Sequence, residues 1–226
     1  MSQFQLHQSA SPKQASQALA DWAAGHLQAA IAARGRASIA VPGGSTPVAF
    51  LEQLSPASLD WACVTVLLTD ERLVAPGDSR SNEAMLRAHL GPLAQGLCRF
   101  ISFHREGLSA EAAALAVDRD ISAVAPLDVC ISGMGADMHV ASLFPHDTSW
   151  VELSARLVIA THPPGLEPRL SLSPAALQSA RHMALLINGD VKLAAFKAAL
   201  TISETAEAPV RLLLREGRTL HVFAAM

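Results

Sequence analysis

The 226 residues predict an α/β fold, with a mainly parallel sheet covered by helices on both faces. Three observations carry this expectation. Short β-branched apolar runs alternate with longer segments of helical periodicity, the pattern of strand–helix units around a parallel sheet. Runs such as VTVLL and LDVCI are apolar enough to be buried on both sides. Half of the residues are apolar, and no Gly/Ser linker or internal repeat divides the chain, so 1–226 reads as one domain.

Ser11-Pro12 opens a helix, with serine as N-cap and proline in the first turn. Ala15, Leu19, Trp22, Ala23, Leu27 and Ile31 then recur at helical spacing up to Gly35. Residues 38–41 form the first strand, 42–47 a turn, and Thr46-Pro47 starts a helix running to Leu54. Residues 64–68 are a buried strand ending at Thr69-Asp70-Glu71-Arg72. Ser81 is the N-cap of a helix carrying Met85, Leu86 and Leu90. Residues 99–102 are a strand, 109–124 an alanine-rich helix and 127–131 the strand around which the chain is organised. Small residues at 140–143 suit a helix start. Further strands are expected at 157–160, 169–173, 182–187 and 220–224, with helices from Pro174, over 190–200 and over 209–214.

Composition excludes several classes. The net charge is −3 and no basic block occurs, which argues against nucleic acid as a partner. No run approaches the roughly 18 apolar residues of a membrane span, and the N-terminus lacks the pattern of a secretory signal. Cys63, Cys98 and Cys130 fall in expected strands without CxxC spacing, as reduced thiols in a cytoplasmic protein do. The same spacing gives no metal site.

Five stretches have residue types suited to chemistry. In VPGGSTP, Gly43 and Gly44 permit close backbone approach, and Ser45 and Thr46 add hydroxyls at a helix start. This is either an anion loop or an ordinary capped turn. Asp70 and Arg72 follow a buried strand; Arg72 suits a phosphate or carboxylate, or the two form a local pair in a solvated loop. Arg169 begins a strand, and Lys192 lies in the first turn of a helix, where a cation opposes the helix dipole unless an anion offsets it. Each serves equally as a surface residue. His139 follows the glycine turn 133–137 at the end of the 127–131 strand, with Asp137 close enough to orient its ring. In open α/β sheets ligands bind outside the carboxyl ends of the strands. An imidazole there is a base that takes a proton from water near neutral pH. Ser142 lacks a GxSxG elbow, so a serine triad is not expected.

Taken together and in order, VPGGSTP, LTDERLV followed by DSRSNEAMLRAHL, LDVCISGMGADMHVASLFP, PRLSLSPAAL and INGDVKLAAF resemble the 6-phosphogluconolactonases, within the family that includes glucosamine-6-phosphate deaminases. The resemblance implies a Rossmann-like three-layer sandwich. It also implies a carboxylic ester hydrolase that opens 6-phospho-D-glucono-1,5-lactone to 6-phosphogluconate in the oxidative pentose phosphate pathway. No metal and no cofactor are implied, and the partner is a sugar-phosphate substrate bound by a monomer or weak homodimer. By the same resemblance His139 is the general base and Asp137 its orienting acid. Gly43, Gly44, Ser45, Thr46, Asp70, Arg72, Arg169 and Lys192 bind substrate. The alternatives are a glucosamine-6-phosphate deaminase/isomerase and a non-catalytic sugar-phosphate-binding protein. Three positions depart from the family pattern: Met138 and His146 stand where glycine is usual, and Val140 where threonine is usual. If position 138 takes a positive φ, methionine is strained there and its side chain can crowd the site.

Overall fold

Serine and proline set the first helix as expected. The Ser11 side chain accepts from the Gln14 N–H, and Gly35 closes the far end in the left-handed conformation at φ 69°. In the computed structural model, which describes residues 3–153 and 155–225, the elements run as follows. Strand β1 (Gln3–Ser9) precedes helix α1 (Pro12–Arg34), β2 (Ala37–Val41), α2 (Val48–Leu54), β3 (Val64–Leu68) and β4 (Asp70–Arg72). Next come α3 (Asn82–His89), α4 (Gly91–Ala94), β5 (Arg99–Ile101), α5 (Ala110–Ser122), β6 (Val129–Ser132) and α6 (Ser149–Glu152). The chain finishes with β7 (Val158–Thr161), β8 (Arg169–Leu172), α7 (Pro174–Ser179), β9 (His182–Asn188), α8 (Asp190–Ala199) and β10 (Thr219–Ala225). Met1, Ser2, Ser154 and Met226 lie outside the described residues.

Seven strands form one sheet in the order β1-β10-β9-β6-β2-β3-β5, with every neighbouring pair parallel. Alternate side chains feed two cores. On one face Val64, Val66, Leu68, Ile131 and Leu186 pack beneath α1, α2 and α3. On the other, Leu67, Cys130, Leu185 and Ile187 pack against α5, α7 and α8. The three-layer α/β expectation is met.

Several details differ from expectation. Strands 157–160 and 169–173 are not in the main sheet; β7 and β8 form a separate antiparallel sheet with β4, in the order β4-β8-β7. Residues 140–143 do not open a helix: Ala141 takes φ 49°, and Val140 and Leu143 form an isolated bridge. The Ser142 backbone N–H goes instead to Ser171 Oγ at 3.1 Å. Of the cysteines only Cys130 lies in a strand; Cys63 closes a 3₁₀ turn and Cys98 precedes β5. The 209–214 helix is a 3₁₀ segment, Pro209–Leu213. Strand β1 was not foreseen; it pairs with β10 from Gln3↔Thr219 to Ser9↔Ala225. Phe4 meets Phe196 of α8 edge-on at 5.5 Å. Among the described residues, no helix is long and apolar enough to cross a membrane.

Four imidazoles gather where α1 crosses β1, β9 and β10. His26 stacks on His182 at 3.7 Å between centroids, and His7 Nε2 lies 3.0 Å from His221 Nδ1. Trp22 covers His26 and His221. Burial, then the neighbouring His26, pulls His182 down to about 4, against the opposing pull of Asp128. His7, His26 and His221 are also held below the ordinary imidazole value, chiefly by burial. The folded state thus favours neutral rings, while unfolded histidine charges near 6.5. This stabilisation is complete above that pH and is lost as pH falls from 6.5 towards about 4. Urea unfolding at about pH 7.5 and about pH 5 should show a lower midpoint at the acid value. His182→Phe should shrink the difference.

Candidate active site

The order in which strands are added to the main sheet reverses between β2 and β6. From β2 the chain proceeds outward to β3 and β5, and from β6 it proceeds the other way to β9 and β10. At such a switch point the loops diverge and leave a crevice. Here the crevice is a cavity of about 270 Å³, whose lining includes Gly43, Gly44, Ser45, Thr46, Asp70, Arg72, His139, Arg169 and Lys192. Nine of the ten expected site residues therefore meet in one place. The tenth, Asp137, is absent from the lining and stands behind His139.

The loop after β6 builds the His–Asp pair. Asp137 Oδ1 lies 2.6 Å from His139 Nδ1 and also accepts from the His139 backbone N–H at 3.3 Å. A carboxylate accepts only, so Nδ1 carries a proton, and in the neutral ring the lone pair is therefore on Nε2. Among the described residues no hydrogen bond engages Nε2. Gly135 makes this arrangement possible: a Cβ there would lie 2.2 Å from Asp137 Oδ1 and 2.3 Å from His139 Nδ1. The Gly135 N–H donates to His139 O at 3.0 Å, and the Met138 N–H donates to Gly135 O at 3.0 Å, closing the turn. This turn holds Met138 at φ 72°, so the strain expected of a methionine in place of glycine is present. Its side chain packs on the hydrophobic core and not into the cleft. Val140 is fully buried, and His146, another family glycine position, takes φ 64°. Phe144 joins the two ends of the site, with its ring 4.8 Å from the His139 ring and 5.6 Å from the Arg169 guanidinium carbon.

The anion end comes from two sheets. Antiparallel pairing of β4 and β8 makes Arg72 and Arg169 direct partners. Like charges facing each other across strands are destabilising, and Arg169 Nε is buried without a hydrogen-bond partner. Glu167 lies 3.9 Å from Arg72 Nε, beyond hydrogen-bond reach. Lys192 approaches from the first turn of α8, whose cap Gly189 supplies no side chain. The α2 N-terminus likewise has no side-chain cap. Arg72, Arg169, Lys192 and the loop before α2 all line the cleft, where an anion can reach them.

Asp70 sits beneath, almost fully buried, accepting from Thr69 Oγ1 at 3.2 Å and from Ser142 Oγ at 2.6 Å. Ser142 thus serves Asp70, and no serine–histidine triad exists here. Sequence reasoning missed Glu71 and Asn82. The buried Glu71 carboxylate accepts from the backbone N–H groups of Arg72, Asn82 and Glu83 and from Ser81 Oγ, all at 2.7–2.9 Å. That clamps the α3 N-terminus to β4. Asn82 follows the Ser81 cap and lines the cleft. The only hint in the chain was its place in the SN step of the second motif. Among the described residues no group of three or more His, Cys, Asp or Glu side chains is arranged to hold a metal ion.

Gly135→Ala tests the pair without reference to activity. In the wild type, ¹⁵N spectra of the histidine rings should show a protected Nδ1–H for His139; the variant should lose it while far-UV circular dichroism is unchanged. A retained signal would mean that the pair does not depend on Gly135.

The sequence profile described as glucosamine-6-phosphate isomerases/6-phosphogluconolactonase matches residues 10–222. A 6-phosphogluconolactonase of Rhizobium meliloti is 42% identical over 218 residues, covering 94% of each chain. One from Pseudomonas putida is 39% identical over 219 residues, 93% of this chain and 89% of that one. The crystal structure of a 6-phosphogluconolactonase from Shewanella baltica superposes with a TM-score of 0.93 at 32% identity, covering 99% of this chain and 98% of that one.

Proposed function

The chain belongs to the glucosamine-6-phosphate isomerase/6-phosphogluconolactonase family, and from that premise we propose that it hydrolyses 6-phospho-D-glucono-1,5-lactone to 6-phosphogluconate. One observation carries the reading: a single cleft holds an imidazole oriented by a carboxylate at one end and two facing arginines at the other.

In this mechanism Arg72, Arg169, Lys192 and the 43–46 loop hold the phosphate, and the lactone carbonyl lies near His139. Nε2 takes a proton from water as its oxygen attacks the carbonyl carbon. Asp137 steadies the imidazolium that forms. The tetrahedral intermediate then collapses with loss of the bond to the ring oxygen. The imidazolium returns its proton to that oxygen, leaving a carboxylic acid that ionises. Asp70, buried and held by two hydroxyls, is a ligand or support for the sugar. The proposed place of the reaction is the oxidative pentose phosphate pathway, in the cytoplasm, a compartment that three free thiols suit.

The deaminase alternative wants an acid shortly after the histidine. Asp147 is the nearest, but it accepts from Ser149 N at 2.9 Å and Ser149 Oγ at 2.6 Å, and it does not line the cleft. That weighs for the lactonase.

His139→Asn should lower kcat for 6-phosphogluconolactone by about 10²–10⁴-fold while substrate still binds. Steady-state rates corrected for spontaneous opening check this, and a near-normal kcat removes His139 from the mechanism. Arg169→Ala should raise KM for the phosphorylated lactone and leave unphosphorylated gluconolactone little changed. Equal losses on both substrates would sink its phosphate role.

A further inference from the structure

Asn82 is a neutral, almost fully buried side chain that touches Arg72, the Asp70 carbonyl and Gly43. Its backbone N–H is held by Glu71 Oε1 at 2.8 Å. Its Nδ2 donates to the Asp70 carbonyl at 2.8 Å, and its Oδ1 accepts from Arg72 Nη1 at 3.2 Å. The orientation is fixed by chemistry: a carbonyl only accepts and a guanidinium only donates, so a flipped amide would face two mismatched partners. Gly43 rests on the same amide. A Cβ at Gly43 would lie 2.0 Å from Asn82 Cγ and Oδ1 and 2.3 Å from Nδ2. Only glycine permits that approach.

We propose that Asn82 is a positioning residue for phosphate recognition, its amide joining the 42–47 loop to the Arg72 guanidinium, whose Nη1 also donates to the Arg80 carbonyl at 2.5 Å. The proposal rests on the lactonase reading for its choice of ligand. It assigns Asn82 an action on the phosphate end alone, since its side-chain contacts reach Arg72, Asp70 O and Gly43 and not the His139 pair. The amide must also be neutral. A carboxylate at position 82 would lose the donor to Asp70 O and offset Arg72 against the incoming phosphate.

The test combines calorimetric binding of 6-phosphogluconate and of gluconate with lactone hydrolysis. It uses the full chain as wild type, Asn82→Ala, Arg72→Ala and their double variant. Asn82→Ala should weaken 6-phosphogluconate binding about ten- to a hundredfold, the range of one hydrogen bond to a charged group. Gluconate binding should hold, KM should rise, and kcat should stay within about a factor of three. The Arg72→Ala loss should shrink in the Asn82→Ala background, because the two act as one unit. Gly43→Ala should weaken 6-phosphogluconate binding, and Gly43→Ala with Asn82→Ala should be no weaker than Asn82→Ala alone. If Asn82→Ala does not fold, Asn82→Asp keeps the volume and should lose 6-phosphogluconate selectively.

Unchanged affinity in Asn82→Ala or Asn82→Asp overturns the proposal. So do equal losses for both ligands, or Asn82 and Arg72 losses that multiply in full. A wild type that binds 6-phosphogluconate without hydrolysing the lactone defeats the lactonase reading and leaves this binding test standing. A wild type that binds no 6-phosphogluconate overturns both.

Discussion

Every strand of the main sheet points the same way, and the site depends on that constraint. The four central neighbours, β9, β6, β2 and β3, end on one side. The segments that follow them carry Lys192, the His139–Asp137 pair, the Gly43–Gly44 turn and Arg72. In an antiparallel sheet, successive loops would fall at opposite ends and these groups would lie a strand length apart. Parallel pairing requires long crossover connections, and the helices that make them bury both faces with the two cores. The same rule that produces the cores therefore gathers the polar groups.

The second, antiparallel sheet supplies what the first cannot. Strand β8 brings Arg169 back over the cleft and sets it directly against Arg72. The arrangement is unfavourable by itself, as are the positive φ angles of Met138, Ala141 and His146 on the loop beside it. Such local conflicts are expected where a protein spends stability on function. The surrounding hydrogen bonds hold them in place: Glu71 accepts four, and Asp70 is held by two hydroxyls.

Much of this was legible in the chain. The apolar runs that became β2, β3, β6 and β9 have no stable place except between two helical layers, and Ser11 and Ser81 cap helices as their positions suggested; Ser109 and Ser173, placed inside a helix and a strand, are caps as well. What escaped has physical reasons. Strand β1 lies at a sheet edge and is mostly polar, so it lacks the buried signature. Strand β4 has three residues, too few for any periodicity. The small residues at 140–143 suit a helix, but the loop is bent back by tertiary contacts to β8. Asn82 acts through contacts with Gly43 and Arg72, which no local pattern reveals. The departure at Met138 was read correctly as a backbone conflict, whereas the direction of its side chain, away from the cleft, depends on packing alone.

The pairing of β1 with β10 has a consequence for how the protein is made. Strand β1 is synthesised long before its partner strand and its aromatic contacts, Phe196 and Phe223, which lie far downstream in the sequence. Throughout elongation it has nothing to join, and closing so long a loop comes late. A strongly apolar segment left waiting on the ribosome would invite association with other nascent chains. Strand β1 instead carries Gln3, Gln5, Gln8 and Ser9, so the same polarity that weakens its strand signal also lowers that hazard while β10 is still to come.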